Sequence, residues 1–393
     1  MKVCSVTTWP PHKDGVALYS AELYGHISDL VDLKVIANIP ENRHQDREVN
    51  GRNVTRSWKR GSCTYPFRIY HSTLKERPDI IHLQHGWLLY GDIISSPLFI
   101  FLLIFYRLAR RPFLVTMHTV IRRNARMYGG FLSNLMARIT VFVISRFIVK
   151  VSDRVIVHNH TMKTYLQKEY GLQEEGQKLA VIPHGVRKAS KKSEGFQKDR
   201  KIVILSIGFL RKNKGIEQLI TAFKKFNEQY PDSNLIIAGG RHAHDTAEKA
   251  EKFRNVLTPD LTKRVSFTGF IDEKSLDKLI WTSDIIVLSS LDRYYIEASG
   301  VLGRVADYGK PIICSRVPKF ESELEDGVDC IMIEPGDQEA LAQALFSLTE
   351  DVQLKEKIED GLRTKFRSRY WNTVAKQHFE LYKTILKSYQ CRT

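Results

Sequence analysis

The sequence predicts an α/β protein built from two doubly wound parallel sheets in tandem. Apolar runs of strand length alternate with longer helix-period segments through most of the 393 residues, which is typical of βαβ units. One charged stretch without apolar periodicity, residues 186–201 (VRKASKKSEGFQKDRK), interrupts this alternation and has the composition of a linker. The length also suits two domains of ordinary size.

Six strands are expected on each side of this stretch, with helices between them. The first six are residues 3–7, 33–37, 80–84, 113–118, 154–158 and 179–182; the second six are 202–207, 234–238, 265–268, 285–288, 311–314 and 330–333. Residues 338–388 have a helical pattern. Ligands of such sheets bind beyond the carboxyl ends of the strands, so the loops there are the first candidates for chemistry.

The cysteines and the amino terminus indicate a cytoplasmic protein. The five cysteines are scattered, odd in number and without a CxxC pair, so neither a disulfide framework nor a zinc site is supported. The first residues, MKVCSVTTWPP, lack the long apolar core and the cleavage signal of a secretory leader.

The net charge of +16 is unevenly distributed. Residues 101–150 hold nine basic residues and no acid. The apolar runs 97–106 and 131–149 lie in or beside this block, and Arg107, Arg110 and Arg111 follow the first run. The first run is about half of what crosses a bilayer, and arginines interrupt the second, so neither is expected to span.

Two interpretations of this basic block remain open. Residues 97–146 could form a surface that binds an anionic membrane leaflet, which would make the protein peripheral on the inner face of the cell membrane. Alternatively, the runs are core helices whose arginines extend to solvent. No nucleic acid partner is expected, because the basic residues coincide with apolar helices and lack the interleaved aromatic residues of a stacking platform.

Several motifs are absent from the sequence. It contains no GxGxxG, GxxxxGK[ST], HExxH or DxD, so a bound diphosphate would be neutralised by backbone amides, helix ends and basic side chains. We therefore expect no metal ligands and no cofactor.

Three strand-end segments could bind a phosphate in this way. They are the loop of Gly15, which opens a helix after the first strand; the loop of Gly208, Arg211 and Lys214; and the segment of Glu297, Ser299, Gly300 and Val301. Glycines allow close backbone approach, and helix starts present free amides. Each segment also has a purely structural interpretation, as a βα turn, a solvated basic turn and a helix capped by Ser299.

The order of the segments resembles a known family. These segments are HLQHGWLLYGD, VTMHTV, VIVHN, VIPHGV, SIGFLRKNKGI, IIAGG, VSFTGFI, ASGVLGRVADYGKPII and LEDGVDCIMIEPGD. Together they resemble the retaining glycosyltransferases of family four, which have the GT-B fold, over roughly residues 1–345. The resemblance implies two Rossmann-like domains that face each other across a cleft. The implied boundaries are an acceptor-side domain at 1–187, a linker at 188–201, a nucleotide-sugar domain at 202–365 and a returning helix at 366–393.

The resemblance also implies roles for individual residues. Gly15 stands where the family's glycine loop meets the donor phosphates, His118 matches a histidine near the transferred sugar, and Lys214 matches a lysine on the diphosphate. The family arginine that accompanies the lysine is replaced by Phe209, and Arg211 can take over its role. Without the resemblance, His118 is a satisfied core histidine, as His82, His85, His158 and His184 are expected to be.

One departure from the family concerns its Glu-x7-Glu motif. Counting back from Gly309 places Ile296 and Arg304 at the two glutamate positions, and Glu297 is one residue out of register. Arginine has no acceptor for ribose hydroxyls. Family members with an SGVL segment are similar in lacking this pair.

The implied activity is transfer of a hexose from a nucleotide sugar, such as a GDP- or UDP-hexose, to a hydroxyl acceptor with retention and without a metal. The acceptor would be a glycan, a glycolipid or a small molecule, and the leaving phosphate would take its proton. The alternative is a non-catalytic GT-B protein that binds a membrane or a polyanion, suggested by the missing glutamate pair and the basic block.

Overall fold

A computed structural model describes residues 1–40, 54–191, 201–240, 253 and 257–391. The chain divides into two compact units. The first unit comprises Met1–Gly185, Tyr294–Ala298 and Trp371–Thr393, and the second unit comprises Val186–Arg293 and Ser299–Tyr370.

The first unit is built on a seven-stranded parallel sheet. Its strands are short and apolar, and most of their residues are buried, as expected for a sheet covered on both faces. The strands of this part of the chain are β1 (Lys2–Thr7), β2 (Asp32–Asn38), β3 (Val54–Trp58), β4 (Ile80–His85), β5 (Phe113–Met117), β6 (Thr119–Ile121), β7 (Arg154–Val157) and β8 (Leu179–Val181). The sheet order is β3-β2-β1-β4-β5-β7-β8.

Within the described residues, five α-helices connect these strands. They are α1 (Gly15–Ile27), α2 (Tyr65–Lys75), α3 (Phe99–Leu108), α4 (Phe131–Val151) and α5 (His160–Glu169). Two of them begin at a side-chain cap: Asp14 accepts from the Ala17 N–H, and Asn159 accepts from the Met162 N–H. Such caps satisfy donors that the first helical turn leaves without partners.

The second unit is built on a six-stranded parallel sheet. The strands are β9 (Val203–Ile207), β10 (Asn234–Ala238), β11 (Val265–Gly269), β12 (Ile285–Leu288), β14 (Ile312–Ser315) and β15 (Ile331–Ile333), in the order β11-β10-β9-β12-β14-β15. The helices are α6 (Ile216–Gln229), α7 (Pro259–Thr262), α8 (Glu273–Thr282), α9 (Gly300–Val305), α10 (Pro318–Glu321), α11 (Gln338–Glu350) and α12 (Val352–Phe366).

Two late segments of the chain belong to the first unit. Strand β13 (Tyr295–Glu297) pairs antiparallel with β6, with Glu297 opposite Thr119. Helix α13 (Trp371–Gln390) buries Trp371, His378 and Tyr382 in the first unit, where it packs against α1.

The structure differs from the expected strands in a few places. Strands β3, β6 and β13 were not predicted, and His118 lies one residue beyond β5 rather than within it. The start of the expected linker is hydrogen-bonded within the second unit, where the Val186 and Arg187 N–H groups donate to the Arg369 and Gly303 carbonyls at 2.7 and 2.8 Å. Residues 192–200 of that linker lie outside the described residues.

The apolar run 97–106 is a core segment. In α3, Phe99, Leu102, Leu103 and Tyr106 are buried, and of the run only Phe101 is exposed. For this run the structure supports the interpretation as a core helix and not the one as a membrane surface, because α3 packs its apolar residues between α2 and α4.

Candidate functional site

A pocket lies at the carboxyl edge of the second sheet. Four predicted residues line it: Gly208, Lys214, Ser299 and Val301. They come from the loop after β9 and from the start of α9, which are separated by more than 80 residues in the sequence. The edge of a parallel sheet brings such loops together.

The loop after β9 has a backbone that requires glycine. Gly208 has a φ of +139° and Gly239, after β10, has a φ of +144°. A Cβ on Gly239 would lie 1.9 Å from the Gly208 carbonyl oxygen. Side chains are thus excluded where these two loops meet, which keeps the backbone of Gly208 accessible from the pocket.

Lys214 is held beside the pocket by its backbone. Its N–H donates to the Arg211 carbonyl at 3.0 Å, and its carbonyl accepts from Ser289 Oγ at 2.5 Å. The next residue, Gly215, adopts the left-handed conformation with a φ of +63° and leads into α6. Lys214 therefore belongs to a tight turn just before α6. The amino-terminal end of a helix favours a bound anion.

The third segment is a capped helix start. Ser299 Oγ accepts from the Leu302 N–H at 3.3 Å, so Ser299 caps α9, which is the structural interpretation of this segment given by the sequence. The N–H groups of Gly300 and Val301 belong to the first turn of α9, which has no intrahelical acceptor for them. Capping by Ser299 is compatible with phosphate binding at the same helix start, because the cap uses the Leu302 N–H and leaves the N–H groups of Gly300 and Val301 for a phosphate.

Arg304 is held by ionic contacts within the second unit. It forms an ion pair with Glu273, the first residue of α8, and Arg187 pairs with the same carboxylate. The arginine at the family's glutamate position thus belongs to a three-residue ionic cluster within the second unit.

The loop of Gly15 lies at the carboxyl edge of the first sheet. Asp14 accepts from the Ala17 N–H at 2.6 Å and from Thr8 Oγ1 at 3.1 Å, and His12 Nε2 lies 3.1 Å from its other oxygen. Burial would raise the pKa of Asp14, but these hydrogen bonds and the charge of His12 outweigh it, so the pKa is lowered. A Cβ on Gly15 would meet no atom within 4 Å. Packing of the described protein therefore does not require glycine there.

We expect Gly15→Ala to weaken donor binding without loss of stability. Alanine favours a helix start more than glycine does, so the melting temperature should be unchanged or higher. The added methyl would occupy space that we expect the donor phosphates to use, and the KM for the donor should rise roughly tenfold. Gly129→Ala is the matched control, since that position is equally open. An unchanged KM in Gly15→Ala would remove Gly15 from the donor site.

His118 sits in a buried network of rings at the same sheet edge. Its Nε2 lies 2.7 Å from the Gln84 side-chain oxygen, and its Nδ1 lies 3.2 Å from His158 Nε2. The Tyr19 ring, on α1, packs edge-on against it with centroids 4.6 Å apart. Both ring nitrogens of His118 are therefore engaged inside the first unit.

The protons of this network can be assigned from the pKa of His158. Its Nδ1 faces the Ile182 carbonyl at 3.2 Å and must carry a proton. Burial lowers the pKa of His158 to about 3, so the ring is neutral and its Nε2 accepts from His118 Nδ1. His118 Nε2 then accepts as well, which requires the Gln84 amide to present its NH2 group there. Turning that amide by 180° achieves this, and the Tyr24 hydroxyl, which lies 2.6 Å from the other end of the amide, then donates to the Gln84 oxygen.

The remaining histidines of this edge are also neutral. Burial lowers the pKa of His85, His184 and His378 to about 4 each. Burial, with the nearby His158 and other rings, holds the pKa of His118 well below its ordinary range. Of the four histidines expected to be core residues, His82, His85 and His158 are buried and His184 is half-buried. The rings of His158 and His184 pack, like that of His118, against the Tyr19 ring.

We expect the free energy of unfolding to fall as the pH drops below about 6.5. Each neutral buried histidine binds a proton only on unfolding, so between pH 6.5 and about 4 the unfolded state takes up more protons and stability is lost. The slope is at most about 1.4 kcal/mol per pH unit for each histidine. Urea unfolding at pH 7.5, 6.5 and 5.5 measures it. His378→Gln should reduce the slope, and a pH-independent stability would contradict the assignment.

Glu297 lies in the first unit and not in the pocket. On β13 it accepts from Thr119 Oγ1 at 3.3 Å, and Thr119 directly follows His118. Arg211 is exposed, and neither Arg211 nor Gly300 lines the pocket. The structure thus groups the predicted residues into a second-unit set around Lys214 and a first-unit set of Gly15, His118 and Glu297.

Some residues of both sets were not predicted. Ser289 follows β12 directly, and its position at a strand end was a usable signal. Phe320 lines the pocket from α10, and Thr119 and Gln84 contact the first-unit set. Their sequence context gives no indication of these contacts.

Two family profiles match the chain. Residues 13–189 match the family described as Glycosyltransferase Family 4, and residues 186–364 match the family described as Glycosyl transferases group 1. The chain is similar to a glycogen synthase of Mycobacterium tuberculosis, with 25% identity over 78% of this chain and 69% of that protein. It is also similar to a phosphatidyl-myo-inositol mannosyltransferase of Mycobacterium leprae, with 23% identity over 72% of this chain and 70% of that protein.

The fold matches solved structures over nearly the whole chain. The crystal structure of Anabaena HepE in complex with UDP and glucose superposes with a TM-score of 0.73, at 18% identity, over 98% of this chain and 99% of that one. The likeness confirms the GT-B fold class predicted from the sequence.

Proposed function

Since the chain is a glycosyltransferase with the GT-B fold, similar to family 4, we propose that it transfers a hexose from a nucleoside diphosphate sugar to a hydroxyl acceptor with retention of configuration. The observation that carries this proposal is the pocket in which Lys214, the Gly208 backbone and the start of α9 converge. The relative crystallised with UDP and glucose supports a sugar nucleotide of this kind as the donor.

The main task of these residues is to stabilise the leaving diphosphate. As the sugar–phosphate bond breaks, negative charge grows on the diphosphate, and the Lys214 ammonium and the first-turn amides of α9 are placed to receive it. A single preorganised donor of this kind contributes about 3–4 kcal/mol to transition-state stabilisation. Arg211 belongs to the same loop but does not line the pocket, so its proposed role as a bidentate donor requires its exposed side chain to turn toward the diphosphate.

The acceptor's proton passes to the leaving phosphate in this proposal, so no side chain acts as nucleophile. In this proposal Gly15 admits the donor phosphates at the first sheet edge, His118 contributes near the transferred sugar, and Glu297 contributes to donor binding. His118 is neutral and its nitrogens are engaged, so its contribution is the shape and polarity of that edge rather than a proton.

A thermal-shift series with UDP, GDP, UDP-hexoses and GDP-hexoses tests donor binding. Only a ligand that binds the native state raises the melting temperature, so one nucleotide series should raise it and the other should not. The absence of a shift with every nucleotide would contradict the proposal.

We also propose that the transfer is independent of a metal ion, because the sequence has no DxD motif. Activity measured in EDTA should therefore remain at roughly the level without chelator, since Lys214 and backbone amides supply the positive charge. A complete loss in EDTA that magnesium or manganese restores would overturn this part of the proposal.

The proposed acceptor is a glycan or a lipid-linked glycan, and the proposed location is the cytoplasmic face of the cell membrane. The relatives named glycogen synthase and phosphatidyl-myo-inositol mannosyltransferase represent these two acceptor types. Radiolabelled transfer from the bound nucleotide sugar to glycogen, to lipid extracts and to small sugars distinguishes them.

A second candidate function is a non-catalytic GT-B protein that binds a membrane or a polyanion. The ion pair of Arg304 with Glu273 favours it, because no carboxylate stands at that family position to accept from ribose. Slow hydrolysis of the bound sugar nucleotide in the absence of acceptor would exclude this candidate.

A further inference from the structure

The outward face of α4 is apolar and exposed over the first thirteen residues of the helix. The exposed fractions are 86% for Phe131, 67% for Leu132, 59% for Met136 and 54% for Ile139. Single exposed apolar residues are normal, but a contiguous patch of this kind marks an interaction site.

This face lies opposite the side by which α4 packs. The buried residues Ala137, Val141, Ile144 and Ile148 recur at helical spacing and hold α4 against the first unit. The exposed residues lie on the opposite side of the helix, about half a turn away from the buried ones. The helix thus has one face in the core and one face uncovered within the described residues.

Length and composition alone would allow α4 to cross a membrane. Its packing does not suit a spanning helix: a third of its most apolar window is buried in the first unit, and Arg146 donates to the Gly171 carbonyl at 3.0 Å. Crossing would require α4 to leave this packing and to carry Arg138 and Arg146 into the bilayer. A helix that lies in the interface needs neither change.

Basic residues surround the first turns of α4. Residues 93–152 contain no aspartate or glutamate, and Arg123, Arg126 and Arg138 are exposed. The loop that carries Arg126 is tied to α4, since the N–H groups of Met127 and Tyr128 donate to Asn134 Oδ1 at 2.7 and 2.9 Å. Positive charge therefore borders the apolar face.

The arginines behind α3 lie elsewhere. Arg107 lies 3.4 Å from the carboxylate of Asp153, which follows the carboxyl end of α4. A helix of 21 residues is roughly 30 Å long, so this end is far from Phe131. The surface suggested by the structure is thus displaced from the arginines that the sequence pointed to.

We propose that the amino-terminal half of α4, residues 131–143, docks in the plane of an anionic lipid leaflet. Its apolar side chains enter the boundary between headgroups and acyl chains, and Arg126 and Arg138 contact the headgroup phosphates. The surrounding charge favours this occupant over a second copy of the chain, because a symmetric pairing of two such faces would bring like-charged arginines together. The inference deepens the proposed function by placing the first unit at the surface that holds a lipid-linked acceptor.

Co-sedimentation of the full chain with vesicles tests this surface. One set contains phosphatidylcholine and phosphatidylglycerol in equal amounts, and the other contains phosphatidylcholine alone. Wild type should bind the anionic set and be released by salt. Replacing Leu132, Met136 and Ile139 together by serine should lower binding at least tenfold, and Arg126→Ser with Arg138→Ser should weaken it and reduce its salt dependence.

The controls separate docking from misfolding and from other occupants. Leu132→Ser and Val352→Ser change apolar residues of matched exposure, 67% and 62%, and only Leu132→Ser should reduce vesicle binding. The melting temperature should not fall in any of these variants. A wild-type dimer that the triple variant dissociates, or resistance to carbonate extraction from membranes, would overturn the proposal in favour of self-association or spanning.

Failure of this inference is distinguishable from failure of the proposed function. If wild type binds neither vesicle set but still shows a thermal shift with a sugar nucleotide, the docking surface is wrong and the donor site stands. If wild type binds anionic vesicles but shows no thermal shift with any nucleotide, the docking surface stands and the donor site is wrong.

Discussion

Replacing Lys214 by alanine is expected to lower kcat by roughly tenfold to a thousandfold, with a smaller change in the Kd of the donor. Lys214 lines the pocket, and the charge of the diphosphate that we propose to bind there is larger in the transition state than in the ground state. Its contribution therefore falls mainly on the chemical step. Steady-state kinetics combined with donor titration by calorimetry separates the two quantities.

Lys224→Ala is the matched control for this variant. Lys224 is an exposed lysine of the same unit, on α6, so its removal changes the net charge equally. Its kcat should remain near the wild-type value. If Lys214→Ala has the same kcat as this control, Lys214 has no part in the mechanism.

Gly239→Ala is expected to destabilise the second unit by about 3 kcal/mol or more. The residue has a φ of +144°, and the new methyl would lie 1.9 Å from the carbonyl oxygen of Gly208. The obstructing atom is backbone and cannot turn away as a side chain would. Denaturant unfolding followed by tryptophan fluorescence measures the loss, and the nucleotide-induced thermal shift should decrease with it.

Gly269→Ala separates the two causes of this effect. Gly269 also has a positive φ, of +67°, but a Cβ there would meet no atom within 4 Å. Only the backbone conformation is penalised, at about 1–2 kcal/mol. Equal losses in the two variants would show that the contact with Gly208 has no energetic weight.

The central strands of both sheets could be predicted from the sequence because they are buried on both faces. Such strands, for example β12 with the sequence IIVL, are continuous apolar runs whose length alone distinguishes them from helices. Strand β3 has the sequence VTRSW, and it lies at the edge of its sheet with only Trp58 buried, so no apolar run marks it. Strands β6 and β13 have three residues each, too few for a periodic pattern.

The candidate site was predictable where a single loop carries its chemistry. Gly208 and Lys214 lie within seven residues behind one strand, and the rule for strand ends is sufficient to find them. The environment of His118 was not predictable. Its partners Gln84, His158 and Tyr19 come from three separate elements, and nothing local to any of them shows that the fold brings them together.

Recombination between related genes is restricted by two features of the first unit. Strand β13 pairs with β6, and α13 packs in the first unit, although both follow most of the second unit in the sequence. The chain passes between the two units at residues 185/186, 293/294, 298/299 and 370/371. A single crossover near residue 186 between two related genes would supply the first unit with a foreign strand β13 and a foreign helix α13. The Trp371 side chain, which fills the space beside Gly185, would then come from the other parent. Exchange of the second half alone is therefore expected to yield functional hybrids only when the parents agree in the residues of β13 and α13.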